Sequence, residues 1–367
     1  MLSAPVFDVF RKPRLDESIT KVEWRTYYPY EKSFENNDVI NITVNQADSW
    51  LAMFEGIITI KGKLVVTGGG IGTLTHNAGA YLFDSCTYEL CNKELDTGYL
   101  CYTPEDSRHL AIAGWNYPNA PILNADKTFS MNILLKHLFS IFNDHQVATW
   151  GKQSNRLVRA RNDANSVKVV ERVNTALPGS PQTQSTAKIT IESTNLKVPH
   201  LTLNDDIKLQ LLTRIKADES MMIPFRRWEL HELPALTQGS TIEIWSVPDN
   251  ANIKSIRLVL NSDYYPQERM LLDFSKDQYA DAHFNYTEFD KSYHNCQKKR
   301  SLVDFNEFKT RPMFVIDCSR RHLGMKSSTV DIEATTGFPP DTKAYCIIVH
   351  DQIIEHLPLS EIVRNIA

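Results

Sequence analysis

Several residue groups in this chain have the types that chemistry uses. The stretch Val65-Val66-Thr67-Gly68-Gly69-Gly70-Ile71-Gly72 runs an apolar strand pattern into glycines, the arrangement that lets backbone N–H groups approach a pyrophosphate. The spacing does not complete that motif. After Gly68 and Gly70 the third glycine position holds Thr73, and no helical pattern follows. The Tyr-x-x-x-Lys pair that a short-chain dehydrogenase needs downstream lies upstream instead, at Tyr28 and Lys32. The glycines read as a turn between strands. Cys86 and Cys91 are too widely spaced for a paired zinc ligand, and a second pair would have to come from His283, His294 and Cys296. Asp317-Cys318-Ser319 offers nucleophile types, but it ends the apolar run FVID and no histidine stands out as its base. Asp205-Asp206 is explained as the start of a helix. A nucleophile elbow, a P-loop and a metalloprotease helix are all missing from the sequence. The expectation is a chain with no catalytic residues, no cofactor and no metal.

The bulk composition bounds what must hold these residues. With 367 residues, two domains are expected, each able to bury its own core. Hydrophobic residues make up 42% of the chain, which argues against global disorder. The net charge of −4 does not suit a coat that condenses nucleic acid, so sequence-specific nucleic-acid binding is not expected. The basic clusters Arg11-Lys12-Pro13-Arg14 and Lys298-Lys299-Arg300 read as solvated loops. The 6 cysteines are sparse for this length, and those within apolar strand patterns read as buried free thiols of a reducing compartment. No signal peptide or membrane-spanning run is visible, so synthesis in the cytoplasm is expected. The sequons at Asn41 and Asn285 are then chance matches.

The elements are mostly strands. Residues 1–20 read as an irregular arm. In DVINITV, Ile40, Ile42 and Val44 alternate with polar residues, the period of a half-buried strand. GIITIKGKLVV and AYLFDSCTYEL repeat the pattern, and CNKELD turns into a further strand. Residues 101–128 form a long surface excursion. MNILLKHLFSIF (131–142) fits helix and strand periods equally. NRLVRARND reads as a strand with Arg156, Arg159 and Arg161 around it, residues 174–187 as a mobile loop, and KITIESTNLKV as a strand.

NDDIKLQLLTRIKA (204–217) is the clearest helix, capped by Asn204 or Asp205, with Ile207, Leu211, Leu212 and Ile215 on one face. It is read as a bridge between two domains. The second domain opens with MMIPFRRWELHELP and STIEIWSVP. A helix-prone stretch at 287–311 lies between strands. IRLVLNSDYYP, FVIDCSR, STVDIEA and KAYCIIVHDQIIEHLPLS supply the later strands, and PLSEIVRNI reads as a short closing helix. Arg226, Arg227 and Trp228 are candidate interface anchors, since Arg and Trp are enriched at interfaces; the other reading is that Trp228 fills a core and the arginines pair with nearby acids.

The order and spacing of these segments resemble the double jelly-roll major capsid proteins of double-stranded DNA viruses. The likeness extends to the capsid-like proteins of polinton-type elements and adintovirus-like viruses of animals. It rests on DVINITVNQADSWLAMFEGIITIKGKL, NAGAYLFDSCTYELCNKELD, NRLVRARNDAN, LKVPHLTLNDDIKLQLL, IPFRRWELHELP, RLVLNSDYYP, FVIDCSR and AYCIIVHDQIIEHLPLSEIV. The resemblance implies an all-β chain of two tandem eight-stranded jelly-roll sandwiches, with short helices in long loops and a helical bridge. The expected division is an N-terminal arm at 1–20, a first jelly roll at 21–217 including the bridging helix 204–217, and a second at 218–367. It further implies a homotrimer with a pseudo-hexagonal outline that meets neighbouring capsomers, penton and minor capsid proteins in an icosahedral virion. Assembly would be nuclear if the genome replicates there. The competing reading is a lectin- or cupin-like double sandwich, which needs clustered His and carboxylate ligands that the sequence does not display. A secreted receptor-ligand-like trimer needs a secretion signal or a membrane anchor.

Overall fold

The first strand patterns form where the alternation predicts them. A computed structural model describes residues 18–45, 49–75, 78–97, 107–114, 123–170, 185–233, 255–260, 263–293, 304–309, 312–316 and 344–366. Its strands in chain order begin with β1 (Ile19–Tyr27), β2 (Val39–Val44), β3 (Trp50–Leu51), β4 (Ile57–Thr67), β5 (Ile71–Leu74), β6 (Phe83–Leu90), β7 (Lys93–Thr97) and β8 (Thr128–Leu134). They continue with β9 (Gln153–Arg159), β10 (Val167–Val170), β11 (Thr186–Leu203), β12 (Met221–Leu233), β13 (Ser255–Leu260), β14 (Asp263–Leu271), β15 (Ala344–Leu357) and β16 (Ile362–Asn365).

The chain divides into two compact units, one of residues 1–101, 107–226 and 351–367, the other of residues 102–106 and 227–350. In the first unit, two sheets run in the orders β1-β11-β4-β8 and β2-β9-β6-β7. The pairing is nested and antiparallel: β1 with β11, β2 with β9, β4 with β8, β6 with β7. The first long strand meets the last, the second meets the second-last, and so inward. That is a long hairpin rolled into a sandwich, the jelly-roll path. Its innermost turn is Cys91-Asn92, with φ of 49° and 63°. Two successive left-handed residues match the twist of a two-residue hairpin.

The core lies between these sheets. Ile40, Ile42 and Val44 of β2 are fully buried, as the alternation predicts. They share one apolar cluster with Ile58 and Ile60 of β4, Met131 and Ile133 of β8, Leu157 of β9, and Leu196 and Val198 of β11. Each such side chain contributes about 1.5–3 kcal/mol by leaving water. Gly68 and Gly69, at positive φ, make the turn between β4 and β5, and β5 pairs with β10. These glycines do not open a helix.

The ambiguous segment 131–142 uses both of its periods. It is strand to Leu134, then short helices at Leu135–Leu138 and Ser140–Asp144. The switch has a local cause. The Leu135 N–H bonds to the Gly56 carbonyl at 2.8 Å, and the buried Asp96 carboxylate accepts from Ser140 Oγ at 2.8 Å and from the Ile141 N–H at 2.9 Å. That carboxylate satisfies a free N–H of the helix start, a capping role played here from a distant strand.

The helix Asp205–Lys216 also forms. Asn204 Oδ1 accepts from the Asp206 N–H at 3.1 Å. On its apolar face only Ile215 is buried, while Ile207, Leu211 and Leu212 are half-buried.

The chain end differs from expectation. PLSEIVRNI does not close as a helix: residues 358–361 turn and β16 returns antiparallel to β15, pairing Leu357 with Ile362. β-Branched Ile362 and Val363 favour the strand. The Asp218 carboxylate fixes the turn by accepting from the Leu359 N–H at 2.9 Å, the Ser360 N–H at 3.2 Å and the Ser360 hydroxyl.

Within the second unit, β13 and β14 form an antiparallel hairpin. The helix expected at 287–311 instead spans Ala280–Tyr293, with a short second helix at Phe305–Phe308. Its buried centre is aromatic. Tyr279 stacks on Phe274 at 5.2 Å and on Phe305 at 4.6 Å, and Phe308 packs edge-on to Phe314 at 6.2 Å. No strand forms at residues 314–316. The loop 174–184, all of STIEIWSVP, residues 317–320 and STVDIEA lie outside the described residues.

Candidate assembly scaffold

The inward face of β9 reads Gln153, Asn155, Leu157, Arg159, all buried and three of them polar. Arg159 is wholly buried. Its Nη1 donates to the Leu82 carbonyl at 2.6 Å and its Nη2 to Asp163 Oδ1 at 2.9 Å; longer bonds reach the carbonyls of Phe34 at 3.4 Å and Ile189 at 3.5 Å. Asp163, itself 6% exposed, accepts from the Ile189 N–H at 2.8 Å and from Asn36 at 3.3 Å. Ile189 belongs to β11 of the facing sheet. The pair therefore staples both sheets and the two loops that carry Phe34 and Leu82. A buried charge pair is tolerable only when its remaining donors and acceptors are met this way. Arg159 and Asp163 stand 4 apart in sequence, but nothing in that spacing announces burial.

A second polar centre ties the edge of the sandwich. Tyr27 Oη lies 2.7 Å from His200 Nε2, and Ser49 Oγ lies 2.7 Å from His200 Nδ1. A serine hydroxyl on an imidazole is the geometry of an activated nucleophile. Here the ring is 2% exposed, its far nitrogen meets a tyrosine hydroxyl, and the one carboxylate among the described residues that acts on it, Glu23, is already engaged by Lys21 and Arg25. The arrangement holds β1 and the approach to β3 on β11. Sequence reasoning had no signal for it, since Ser49 and His200 are 151 residues apart.

Cys91 Sγ lies 3.6 Å from His356 Nε2. Burial pushes the Cys91 thiol upward, and raises Cys86 to about 12, so both remain thiols at neutral pH. Cys86 and Cys91 are unbonded to other cysteines. Among the described residues no group of three His, Cys, Asp or Glu is placed to hold a metal, and no helix is long and apolar enough to cross a membrane. His283 lies in the helix Ala280–Tyr293 against Phe305 and Phe308; His294 and Cys296 lie outside the described residues.

The three anchor candidates are placed as follows. Arg226 clasps Asp144 within the first unit, through its backbone N–H at 3.0 Å, Nε at 2.9 Å and Nη2 at 2.5 Å. This is a bidentate fork on a carboxylate that is 12% exposed. Trp228, in the second unit, is half-buried and meets Phe289 edge-on at 6.4 Å. Arg227 is half-buried beside it in sequence.

Burial holds the imidazoles of His145, His200 and His356 below the ordinary histidine value of 6.5. Arg25 presses His200 further down while Glu23 opposes; Asp218 and Glu361 pull His356 partly back. Between those depressed values and 6.5 the unfolded chain binds more protons than the folded one. The stabilisation is thus complete above 6.5 and is lost as pH falls through the folded values. The urea midpoint is expected to fall from about pH 7.5 to about pH 5, and His200→Asn should reduce that slope. A midpoint flat over this window would show that these rings titrate normally.

The model of the double jelly roll-like domain matches residues 73–259 and again 247–354. No curated protein sequence matches the chain. Among solved structures, the Faustovirus major capsid protein has a TM-score of 0.55 at 8% identity, covering 95% of this chain and 92% of that one. The mavirus major capsid protein has a TM-score of 0.53 at 9% identity, covering 100% and 95%. A chain of the Sputnik virophage has a TM-score of 0.52 at 10% identity, covering 97% and 93%. At these identities the likeness is one of fold.

Proposed function

Because the chain belongs to the double jelly roll-like domain family, we propose that it is a major capsid protein, a structural component and not an enzyme. In this reading it forms homotrimeric capsomers that tile an icosahedral shell around double-stranded DNA, in a virus or as a genome-integrated copy of the polinton-like kind. Its two tandem sandwiches, divided near 217/218, give three chains a pseudo-hexagonal outline. Neighbouring capsomers, penton and minor capsid proteins are its partners, and the virion is its destination.

The observation that carries this is the family model matching twice in succession, together with the nested strand pairing of the first unit. The major capsid proteins of Faustovirus and mavirus share the fold over nearly their whole length, which supports the role. The buried Arg159 staple and the Asp218-clamped chain end fit a rigid block. The mild net charge of −4 fits a shell that does not itself condense the genome.

The test is the mass of the full chain by light scattering, followed by negative-stain imaging of the same peak. About three times the 42.0 kDa chain mass, with a hexagonal outline or closed shells, is expected. A clean monomer overturns the reading.

A further inference from the structure

The outward face of the first sheet carries an apolar row in which Val22 and Trp24 are exposed and Trp50, Trp150 and Leu201 are half-buried. Cross-strand partners in an antiparallel pair point to the same face. His200 and its β3 partner Leu51 are both buried in the core, so the next pair, Leu201 and Trp50, points outward. Val22 of β1 pairs with that same Leu201, and Trp24 pairs with Pro199. Trp150 extends the row, its ring 5.3 Å from Trp50. Val22 and Trp24 are each 51% exposed, and Tyr28 and Tyr30 beyond them still more so.

The strand that carries this row is unusual. β1 ends its sheet, and its first eight residues are all exposed. Its inward side holds Lys21, Glu23 and Arg25, with Glu23 between the two cations at 3.6 and 3.2 Å. Charges on an edge strand oppose the addition of a further strand. They leave the outward face as the surface available for packing. A contiguous apolar patch on a soluble chain marks an interaction site.

We propose that the row of Val22, Trp24, Leu201, Trp50 and Trp150 is the contact on which a second copy of this chain docks. This rests on the capsid reading, in which identical copies are the surface's most abundant partner. Charge favours the same occupant. Lys61 and Lys197 point to the same outward side, because Ile58, Ile60, Leu196 and Val198 on the alternate positions face the core. Neither lysine has a carboxylate partner among the described residues, whereas the chain as a whole carries 44 acidic against 40 basic side chains. Lys197, two residues along β11 from the Pro199 that pairs with Trp24, flanks the row and suits a carboxylate of another copy.

The test compares the full chain with a Val22→Glu/Trp24→Glu double variant by light scattering and by thermal unfolding. Wild type at about three times 42.0 kDa and a folded variant at 42.0 kDa is the expected result. Both proteins at the trimer mass overturn this inference and leave the capsid reading intact. A monomeric wild type overturns the capsid reading itself. A variant that keeps the trimer mass but melts earlier shows that the row is covered by its own chain, and also overturns the inference. Should the double variant not fold, Val22→Cys replaces it. Its alkylation by a maleimide should be at least tenfold slower in the trimer peak than after dissociation in dilute urea below the unfolding transition. Equal rates overturn the proposal.

Discussion

Replacing Arg159 with alanine is expected to cost about 3–5 kcal/mol and to give the largest stability loss of any single polar substitution in the first unit. The reason is the environment, not the ion pair in isolation. Arg159 is 0% exposed and Asp163 6%. Removing the guanidinium leaves a carboxylate in the core with no counter-charge. It also strips the donor from the Leu82 carbonyl and weakens the hold on Phe34 and Ile189. Asp163→Ala should cost a similar amount, because a buried cation is then stranded and the Ile189 N–H loses its acceptor. The double variant should cost clearly less than the sum of the two singles, since neither charge is stranded. Urea unfolding of the four proteins measures this. Single variants within 1 kcal/mol of wild type would mean that water reaches the pair.

The second large effect is expected at Gly62, in the middle of β4. A Cβ there would stand 2.6 Å from the Thr190 carbonyl oxygen and 2.8 Å from the Phe129 ring. One obstacle is backbone and the other a core aromatic that is 4% exposed, so neither can yield without disturbing the pairing with β8 and β11. Gly62→Val should therefore destabilise by about 1–3 kcal/mol, nearer the upper figure, despite the high strand propensity of valine. Gly69 provides the contrast. It has φ of +85° and nothing within 4 Å of its Cβ position. Gly69→Asn meets only the mild strain of a left-handed residue and should lower the melting temperature far less. Similar losses at both glycines would show that the close approach at Gly62 does not govern its stability.

Part of the fold was legible without coordinates because it depends on neighbours in sequence. The buried alternation of Ile40, Ile42 and Val44 follows from the two-residue period of a strand. The Asn204 cap needs only the next two residues, and the turn at Cys91-Asn92 is a local event between two strand patterns. Cys86 was likewise legible as a buried thiol, because it lies within an apolar strand pattern.

Other features could not be read this way because their energy comes from residues far apart. The 131–142 segment has one pattern for two structures, and a carboxylate at Asp96, 44 residues from Ser140, decides where the strand stops. The end of the chain has enough polar residues to suggest a helix, but the Asp218 carboxylate, 141 residues from Leu359, fixes a turn and returns it as β16. Arg226 was legible as an arginine with a choice of partners; only packing assigns it to Asp144, 82 residues away.

The sequence by itself determined the strand-rich class, the turns and the capped helix, since pattern period and turn chemistry act over a few residues. The tertiary structure alone decided which strands pair and in what register, which charges are buried together at Arg159 and Asp163, and which apolar residues remain outside at Val22 and Trp24. Those outcomes depend on the nested pairing of strands far apart in sequence, as at Thr20 and Thr202, 182 residues apart, and register across such distances is set by the closing of the whole sandwich.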